Sequence, residues 1–335
     1  MNRREFLAAV AAAPAAVQAR GAMGFSPDSF VIRRPARTAL EFLEFARGLG
    51  GGGVQATLAS HEPEYLKRVR ERAAEWGMYF EVLAPLPKEG EADAFEATVK
   101  AAREAGAESM RSVCLSGRRY ETFGTLEEWR AFLKDSRARL ARAARIVERH
   151  RLPLGLENHK DWTAEEMVPL MREFGGDYLG ACIDFGNNMS LLDDPVETAE
   201  LLAPFVINTH IKDMAVEEYG EGFLLAEVPL GEGCVDLQRM VAAVRRVRPK
   251  VRFSLDMLTR NPLVIPCLTE KYWATFPERN GKYLARTLAT VRKHKRSAPL
   301  PRIDGLSEEE RLKVELENVA KSVAYARDVL GLRAG

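Results

Sequence analysis

Acidic and histidine side chains end several short apolar runs in the second half of the chain. Glu157, Asp184 and His210 each lie at or near the C-terminal end of such a run, and Asp256 ends a fourth. Carboxylate oxygens and imidazole nitrogens are ligands of divalent ions such as Mn, Mg, Co or Zn. The residue types therefore predict one divalent metal site, provided that the fold brings the four side chains together.

Each of these residues also has an ordinary structural interpretation. A single Asp or Glu at the end of a strand usually caps a helix or accepts a hydrogen bond from a loop. Four such residues in successive units of the chain are harder to explain in that way. We therefore favour shared metal ligation over four unrelated structural roles.

The elements around these residues alternate between strand and helix. Amphipathic segments at 164–174 and 195–203 separate the three apolar runs, and this order predicts a parallel sheet. The closed eight-fold version of such a sheet is the α/β (β/α)8 TIM barrel, whose catalytic groups gather at the C-terminal ends of the strands. The 335 residues suffice for one barrel of about 250 residues plus an extension.

Earlier segments continue the same alternation. We expect a poorly defined first strand over 24–32, and further strands near 54–58, 78–83 and 109–115. Loops that follow barrel strands carry function, so the Arg118 loop after the fourth strand and the loop after Glu157 should overhang one mouth.

Four motifs give the chain a resemblance to a known superfamily. They are Leu156 to His159, Cys182 to Asn187, His210 to Asp213, and Pro229 to Gly233. In this order they resemble the xylose-isomerase-like TIM barrels, the sugar phosphate isomerase/epimerase family, over residues 22–260. That family includes ketose 3-epimerases, hydroxypyruvate isomerase, inosose isomerases and dehydratases, and endonuclease IV, so the resemblance implies the barrel without selecting one reaction.

The resemblance also implies roles for individual residues. Glu157, Asp184 and His210 match three of the family's four metal ligands, and Asp256 stands where the family usually has a Glu. Because Asp is one methylene shorter, the ion could shift, a water could intervene, or Asp256 could have lost the role. Asn187 stands where epimerases often carry a His.

A metal site of this kind is typical of enzymes that remove a proton from the carbon next to a carbonyl group. The ion would polarise the carbonyl of a sugar or keto-sugar, and a carboxylate would remove the neighbouring proton to give an enediolate. Glu157 is our first choice of base and Asp256 the second. The expected activity is a metal-dependent isomerase or epimerase. The alternatives are a dehydratase or lyase with the same site, and a barrel that binds sugar without catalysis.

Several polar and aromatic residues near the strand ends are candidates for binding a carbohydrate substrate. His159 and Lys212 share strand faces with Glu157 and His210, and Trp162 could stack on a sugar. The structural alternatives are a buried histidine, a packing tryptophan and a solvated basic loop. The substrate-binding candidates are His159, Lys160, Asn187, Lys212, Arg118 and Trp162.

Composition narrows the class of protein. Lys and Arg total 49 and Asp and Glu 48, so the net charge of +1 gives no reason to expect a nucleic-acid partner. Endonuclease chemistry needs a cluster of zinc ions and extra histidines, whereas this chain has five His in all. The four cysteines are widely spaced and predict neither a zinc knuckle nor an assignable disulfide.

The two ends of the chain lie outside the expected barrel. Residues 1–20 contain Arg3-Arg4 before an Ala-rich apolar stretch, which is typical of a twin-arginine export signal and predicts a periplasmic protein without a membrane span in the mature chain. The barrel is expected over 21–257. Residues 258–335 predict a lid-like loop, or alternatively a homo-oligomer contact, followed by helices packed on the barrel.

Overall fold

The computed structural model describes residues 22–332. The strands are β1 (Gly24–Phe25), β2 (Gly53–Ala56), β3 (Tyr79–Leu83), β4 (Ser109–Ser112), β5 (Leu154–Glu157), β6 (Leu179–Asp184), β7 (Val206–Ile211), β8 (Asp213–Tyr219), β9 (Gly222–Val228), β10 (Phe253–Leu255) and β11 (Leu263–Ile265). The α-helices are α1 (Ala39–Gly48), α2 (Pro63–Glu75), α3 (Ala92–Glu104), α4 (Arg119–Thr122), α5 (Leu126–His150), α6 (Ala164–Phe174), α7 (Pro195–Leu202), α8 (Leu237–Val247), α9 (Glu270–Trp273), α10 (Gly281–Lys293) and α11 (Glu308–Asp328). The export signal predicted for residues 1–20 lies outside the described residues.

Eight of these strands form a closed parallel barrel, in the order β1-β10-β7-β6-β5-β4-β3-β2. The strand β1 pairs with both β10 and β2, which closes the ring. The prediction of a (β/α)8 barrel is therefore confirmed. Because all eight strands run in one direction, their C-terminal ends meet at one mouth.

Four of the described helices begin with the same sequence pattern. The hydroxyls of Thr38, Thr125, Thr163 and Ser307 each accept a hydrogen bond from the backbone three residues on, where a Glu returns the bond. Such capping boxes satisfy N–H groups that have no partner inside the helix. The box at Thr163 starts α6 directly after the loop that follows Glu157.

A second sheet and a second hydrophobic cluster lie beside the barrel. The strands β8 and β9 form an antiparallel hairpin, and β11 pairs with the outer side of β9. Apolar side chains of the hairpin, such as Phe223, pack with Ile265, Tyr272 and Phe276. Sequence analysis did not predict this hairpin, which occupies the connection between the strand carrying His210 and α8.

Three expected elements differ from the structure. The first strand covers only β1, and a 3-10 turn at Pro27–Phe30 replaces the rest of the expected strand. The segment 258–276 contains β11 and α9 and belongs largely to the second cluster, although its first residues reach the mouth. Of the C-terminal helices, α11 packs on the barrel core through Val319 and Ala326, whereas α10 packs on the hairpin.

None of the described helices is long and apolar enough to cross a membrane.

Candidate metal centre and active site

The register of the barrel brings the four predicted ligands to one end. Glu157 and Asp184 are the last residues of β5 and β6. In β7, His210 pairs with Asp184 on one side and with Ser254 of β10 on the other. Asp256 follows β10 directly, and all four side chains are buried. Three carboxylates from separate strands therefore surround one imidazole.

His210 lies at the centre of this group. Its Nδ1 is 3.3 Å from Glu157 Oε2, 3.6 Å from Asp256 Oδ2 and 3.9 Å from Asp184 Oδ2. Burying several carboxylates together is unfavourable unless cations lie among them. The donor set of oxygens and one imidazole nitrogen suits a divalent ion.

A hydrogen-bonded chain behind His210 sets the orientation of its ring. Gln55 Nε2 donates to Glu81 Oε2 at 2.8 Å, and Ser109 Oγ donates to Glu81 Oε1 at 2.8 Å. The remaining Gln55 oxygen accepts from His210 Nε2 at 2.5 Å. This hydrogen bond leaves His210 Nδ1 facing the carboxylates. Burial disfavours the charged ring, but Asp256 and Glu157 raise the pKa of His210 in the metal-free protein, and a bound ion would take the place of the Nδ1 proton.

Atoms without hydrogen bonds also fit a metal centre. His210 Nδ1, Asp184 Oδ2 and Asp256 Oδ1 are buried and make no hydrogen bond to any residue in 22–332. The other Asp184 oxygen accepts from the backbone of Gly186 and Asn187, at 2.9 and 2.7 Å, which fixes this carboxylate. Although Lys212 Nζ lies 3.0 Å from Asp184 Oδ2, buried polar atoms normally make hydrogen bonds, so these three atoms in one cluster fit the coordination of a cation.

Lys212 forms ion pairs with two of the carboxylates. Its Nζ is 2.6 Å from Asp256 Oδ2 and 3.0 Å from Asp184 Oδ2. Burial opposes ionisation of Asp256, but Lys212 and His210 lower its pKa below the usual range. Burial raises the pKa of Asp184, against the effect of Lys212. Asp256 is therefore held as the anion.

Glu157 is held at both oxygens. Its Oε2 forms a close ion pair with the guanidinium of Arg111, in β4, and its Oε1 accepts from Asn187 Nδ2 at 2.9 Å. Burial disfavours its charge, but Arg111 and His210 lower the pKa of Glu157 well below its usual range. Glu157 is therefore an anion whose two oxygens are both engaged by neighbouring side chains.

Cys182 also approaches this group, together with Glu157 and His210. Burial raises the pKa of its thiol well above the usual value, so the sulfur is protonated in the metal-free protein. The four cysteines are free thiols in the structure.

The centre opens into a cavity of about 410 Å³ at the mouth of the barrel. Its lining is rich in charged groups, five cations and three carboxylates, namely Arg111, Arg118, Lys160, Lys212, Arg260, Asp28, Glu121 and Asp256. His159 lines it as well. The cavity therefore receives polar, hydrogen-bonding ligands rather than apolar ones.

His159 presents one ring nitrogen to this cavity. Its Nδ1 donates to the carbonyl of Leu115 at 2.9 Å. Burial and the neighbouring Lys160 lower the pKa of His159 to about 4, so the ring is neutral near pH 7. Its Nε2 is then an acceptor that can bind a substrate hydroxyl.

The predicted substrate-binding residues divide into three groups. Four of them line the cavity, namely Arg118, His159, Lys160 and Lys212. Asn187 lies beneath it, between Glu157 and Lys212. Trp162 is buried in the core against Trp129 and Phe132, and it does not line the cavity.

Sequence reasoning missed Arg111, Gln55, Glu81 and Asp28. The first three are polar residues inside segments that were expected to be buried strands. A polar side chain in a buried strand needs a partner, and this requirement could have identified them as site residues. Asp28 lies in the turn that replaced the expected first strand. Burial and the charge of Asp256 raise the pKa of Asp28 to about 6.

Residues 42–278 match the family described as Xylose isomerase-like TIM barrel. The chain belongs to this family, in agreement with the resemblance seen in the sequence motifs.

Individual relatives show the range of activities found on this fold. The 3-oxo-isoapionate decarboxylase of Pectobacterium atrosepticum is 32% identical over 100 residues, which are 29% of this chain and 36% of the relative. An L-ribulose 3-epimerase structure matches 92% of this chain and 97% of its own, with a TM-score of 0.55 and 16% identity. The IOLI protein with a bound zinc atom matches 82% of this chain and 99% of its own, with a TM-score of 0.53 and 16% identity. At these identities the structural matches establish the fold alone.

Proposed function

We propose that this protein is a metal-dependent enzyme that forms an enolate or enediolate next to the carbonyl of a keto-sugar. The observation that carries the proposal is the buried His210 Nδ1, which faces three carboxylates from separate strands and makes no hydrogen bond. Glu157, Asp184, His210 and Asp256 would hold the ion. When bound, a divalent ion polarises a carbonyl and stabilises negative charge on its oxygen.

Asp256 is the better placed of the two candidate bases. It lines the cavity, and its Oδ1 has no hydrogen bond within the described part of the chain. Glu157 does not line the cavity, and both of its oxygens are engaged. We therefore assign proton transfer at the substrate carbon to Asp256 and a holding role to Glu157.

Other residues would bind and orient the sugar. The neutral His159 can accept a hydrogen bond from a hydroxyl through Nε2, and Lys212 can donate one to a carbonyl or hydroxyl oxygen. Asn187 holds Glu157 Oε1 at 2.9 Å and lies 3.5 Å from Lys212 Nζ, so it fixes both groups relative to each other. Return of the proton would give an epimer or an aldose–ketose isomer.

Decarboxylation of a 3-oxo sugar acid is a second candidate outcome. In that reaction the bond to the carboxylate breaks, carbon dioxide leaves, and the electron pair remains as the enolate, which is then protonated. Its formation needs no strong base. The low pKa values of Glu157 and Asp256 favour it, as does the similarity to a decarboxylase over part of the chain.

A proton-exchange experiment tests the proposal. The purified protein is loaded with Mn²⁺ and incubated in D2O with ketoses, keto-glycosides and 3-oxo sugar acids. NMR should show deuterium at the carbon next to the carbonyl, with carbon dioxide release from the acids if the second outcome holds. Asp256→Asn should lose the activity, whereas Glu200→Gln, at an exposed ion pair, should keep it.

A protein that binds Mn²⁺ but exchanges no proton and releases no carbon dioxide with this panel would contradict the proposal. Activity that survives in Asp256→Asn but is lost in Glu157→Gln would return the base to Glu157.

A further inference from the structure

Lys160 is a buried cation whose charge the described protein does not neutralise. The residue is only 4% exposed and lines the cavity, yet its Nζ makes no ion pair or hydrogen bond with any residue in 22–332. An ammonium group with little access to water and no acidic partner is unfavourable unless a ligand supplies the opposite charge.

The backbone around Lys160 is built to hold this residue in place. Lys160 has a left-handed conformation, with a φ of 61°, which is unfavourable for a residue with a side chain. The Asp161 carboxylate accepts from the backbone N–H groups of His159, Trp162 and Leu115, at 3.1, 2.8 and 3.2 Å. The loop therefore closes around Asp161 and turns Lys160 to the cavity.

The other cations at the mouth already have acidic partners. Arg118 pairs with Glu121 at 2.6 Å, and Arg260 pairs with Glu227 at 2.7 Å. A backbone bond from Arg119 to the carbonyl of Lys160, at 3.0 Å, ties the Arg118 loop to the Lys160 loop. The arginines keep further N–H donors, while only the lysine charge remains uncompensated.

We infer that Lys160, with Arg118 and Arg260 beside it, forms a subsite for a carboxylate group on the substrate. One uncompensated positive charge matches a singly charged carboxylate better than a phosphate dianion. The three carboxylates that also line the cavity, Asp28, Glu121 and Asp256, would repel a second negative charge. The neighbouring Lys212 and Arg260 help to lower the pKa of Lys160 to about 8 after the larger effect of burial, so the ammonium form predominates at pH 7.

The inference rests on the proposed function in placing this carboxylate on a keto-sugar, but its test measures binding alone. Isothermal titration of the full chain, with EDTA and with Mn²⁺, compares D-gluconate, D-glucitol and D-glucitol 6-phosphate. These probes share one six-carbon polyol chain, on which gluconate has a carboxylate at C1 and the phosphate ester has a phosphate at C6. Gluconate should bind at least about tenfold more tightly than glucitol, as one charge-assisted contact implies.

Variants assign this preference to Lys160. Lys160→Met should abolish it without loss of fold, because the change removes an uncompensated buried charge. Lys100→Met, at an exposed pair with Glu96, should keep it. If Lys160→Met does not fold, Arg118→Gln, at a partly exposed side chain, should weaken gluconate several-fold and leave glucitol unchanged.

Three results would overturn the inference. The first is equal binding of gluconate and glucitol by the wild type. The second is a gluconate preference that survives in both Lys160→Met and Arg118→Gln. The third is tighter binding of the phosphate ester than of gluconate, with Lys160 required for it. Because the preference is expected with EDTA as well, a protein without catalytic activity can still have this subsite. An active enzyme without the preference would contradict the inference alone.

Discussion

The hydrogen bond between Gln55 and His210 determines which nitrogen of the imidazole faces the carboxylates. Glu81 binds the amide N–H of Gln55, so only the amide oxygen is left for His210. Gln55 therefore acts on the metal through His210 and is a positioning residue. Partners of this kind commonly change metal affinity by about 10- to 100-fold.

Replacing Gln55 should consequently weaken metal binding without removing a ligand. We expect Gln55→Leu to raise the dissociation constant for Mn²⁺ about 10-fold or more, measured by titration of metal-free protein. Gln238→Leu, on the exposed face of α8, is the control. Unchanged affinity in Gln55→Leu would show that His210 does not need this orientation.

Lys212 has a different role, because it supplies positive charge directly to the carboxylates. In metal-free protein, Lys212→Met leaves Asp184 and Asp256 without their buried cation and should lower the free energy of unfolding by about 3–5 kcal/mol. Added Mn²⁺ should restore more stability in this variant than in the wild type. Urea unfolding with EDTA and with Mn²⁺ measures both effects, and Lys250→Met, at an exposed position, should show neither.

The ion pairs of Lys212 with Asp184 and Asp256 contribute to the free energy of unfolding, and the pH dependence of this contribution follows from the direction of the pKa shifts. Lys212 and His210 lower the pKa of Asp256, so its stabilisation is present above the unfolded value of about 3.9 and is lost as the pH falls through the folded value. Asp184 and Asp256 raise the pKa of Lys212, so its contribution is lost only above about pH 10.4. Without the Lys212 cation, the buried Asp184 and Asp256 of the variant are protonated more easily as the pH falls. The difference between wild type and Lys212→Met in EDTA should therefore be largest at neutral and mildly alkaline pH and shrink towards acid pH. A difference that grows as the pH falls would contradict this assignment.

Strand β5 shows how closely the elements that carry the site pack. Gly155 lies two residues before Glu157, and a Cβ added there would lie 2.3 Å from Asn208 Oδ1 and 3.0 Å from Cys182 Cβ. Both neighbours belong to buried strands, so they have little room to move. The absence of a side chain at this position lets β5 sit close to its neighbours.

Gly155→Ala should accordingly lower the free energy of unfolding by about 1–3 kcal/mol, as overpacking of a core does. Gly176→Ala is the matched control, because a Cβ there meets no atom within 4 Å. Urea unfolding of both variants, without metal, gives the comparison. If the two alanines have the same effect, β5 is less tightly packed than the structure indicates.

The barrel and the four ligand candidates could be predicted from the sequence for one physical reason. Parallel strands place their C-terminal ends together, so Glu157, Asp184, His210 and Asp256 could be grouped without knowing any distance. The orienting residues Gln55 and Arg111 lie inside short strands, and a one-residue change of register would turn them to the other face. Their contribution required the three-dimensional pairing of β2 and β4 with the rest of the barrel.

The elements outside the barrel were the least predictable. The hairpin of β8 and β9 is stabilised by β11 and α9, which lie far along the chain, and local patterns do not report such pairings. Glu227 of β9 pairs with Arg260, which lies beyond the barrel in the chain and lines the mouth. The position of Trp162 in the core likewise depends on Trp129 and Phe132 of α5.

At the scale of the whole chain, we propose that residues 1–20 direct export of the folded protein. The pair Arg3-Arg4 before an Ala-rich stretch supports this proposal. Replacing both residues by Lys should retain the full-length precursor in the cytoplasm, as measured by cell fractionation and mass spectrometry of the N-terminus. Arg37→Lys should leave export unchanged. A mature N-terminus near residue 20 in the double variant would contradict a twin-arginine signal.

Ion binding should stabilise the entire barrel, because the ligands come from four strands spread over residues 157–256. An ion that binds only the folded chain adds about 2.7 kcal/mol to the free energy of unfolding at 100 times its dissociation constant. The melting temperature of EDTA-treated protein should therefore rise with Mn²⁺, and the rise should vanish in His210→Gln but persist in His61→Gln, at an exposed position. Because His210 Nδ1 is the one nitrogen donor among oxygens, His210→Gln should weaken Zn²⁺ or Co²⁺ more than Mg²⁺. An equal rise in the wild type and in His210→Gln would place the bound ion elsewhere in the protein.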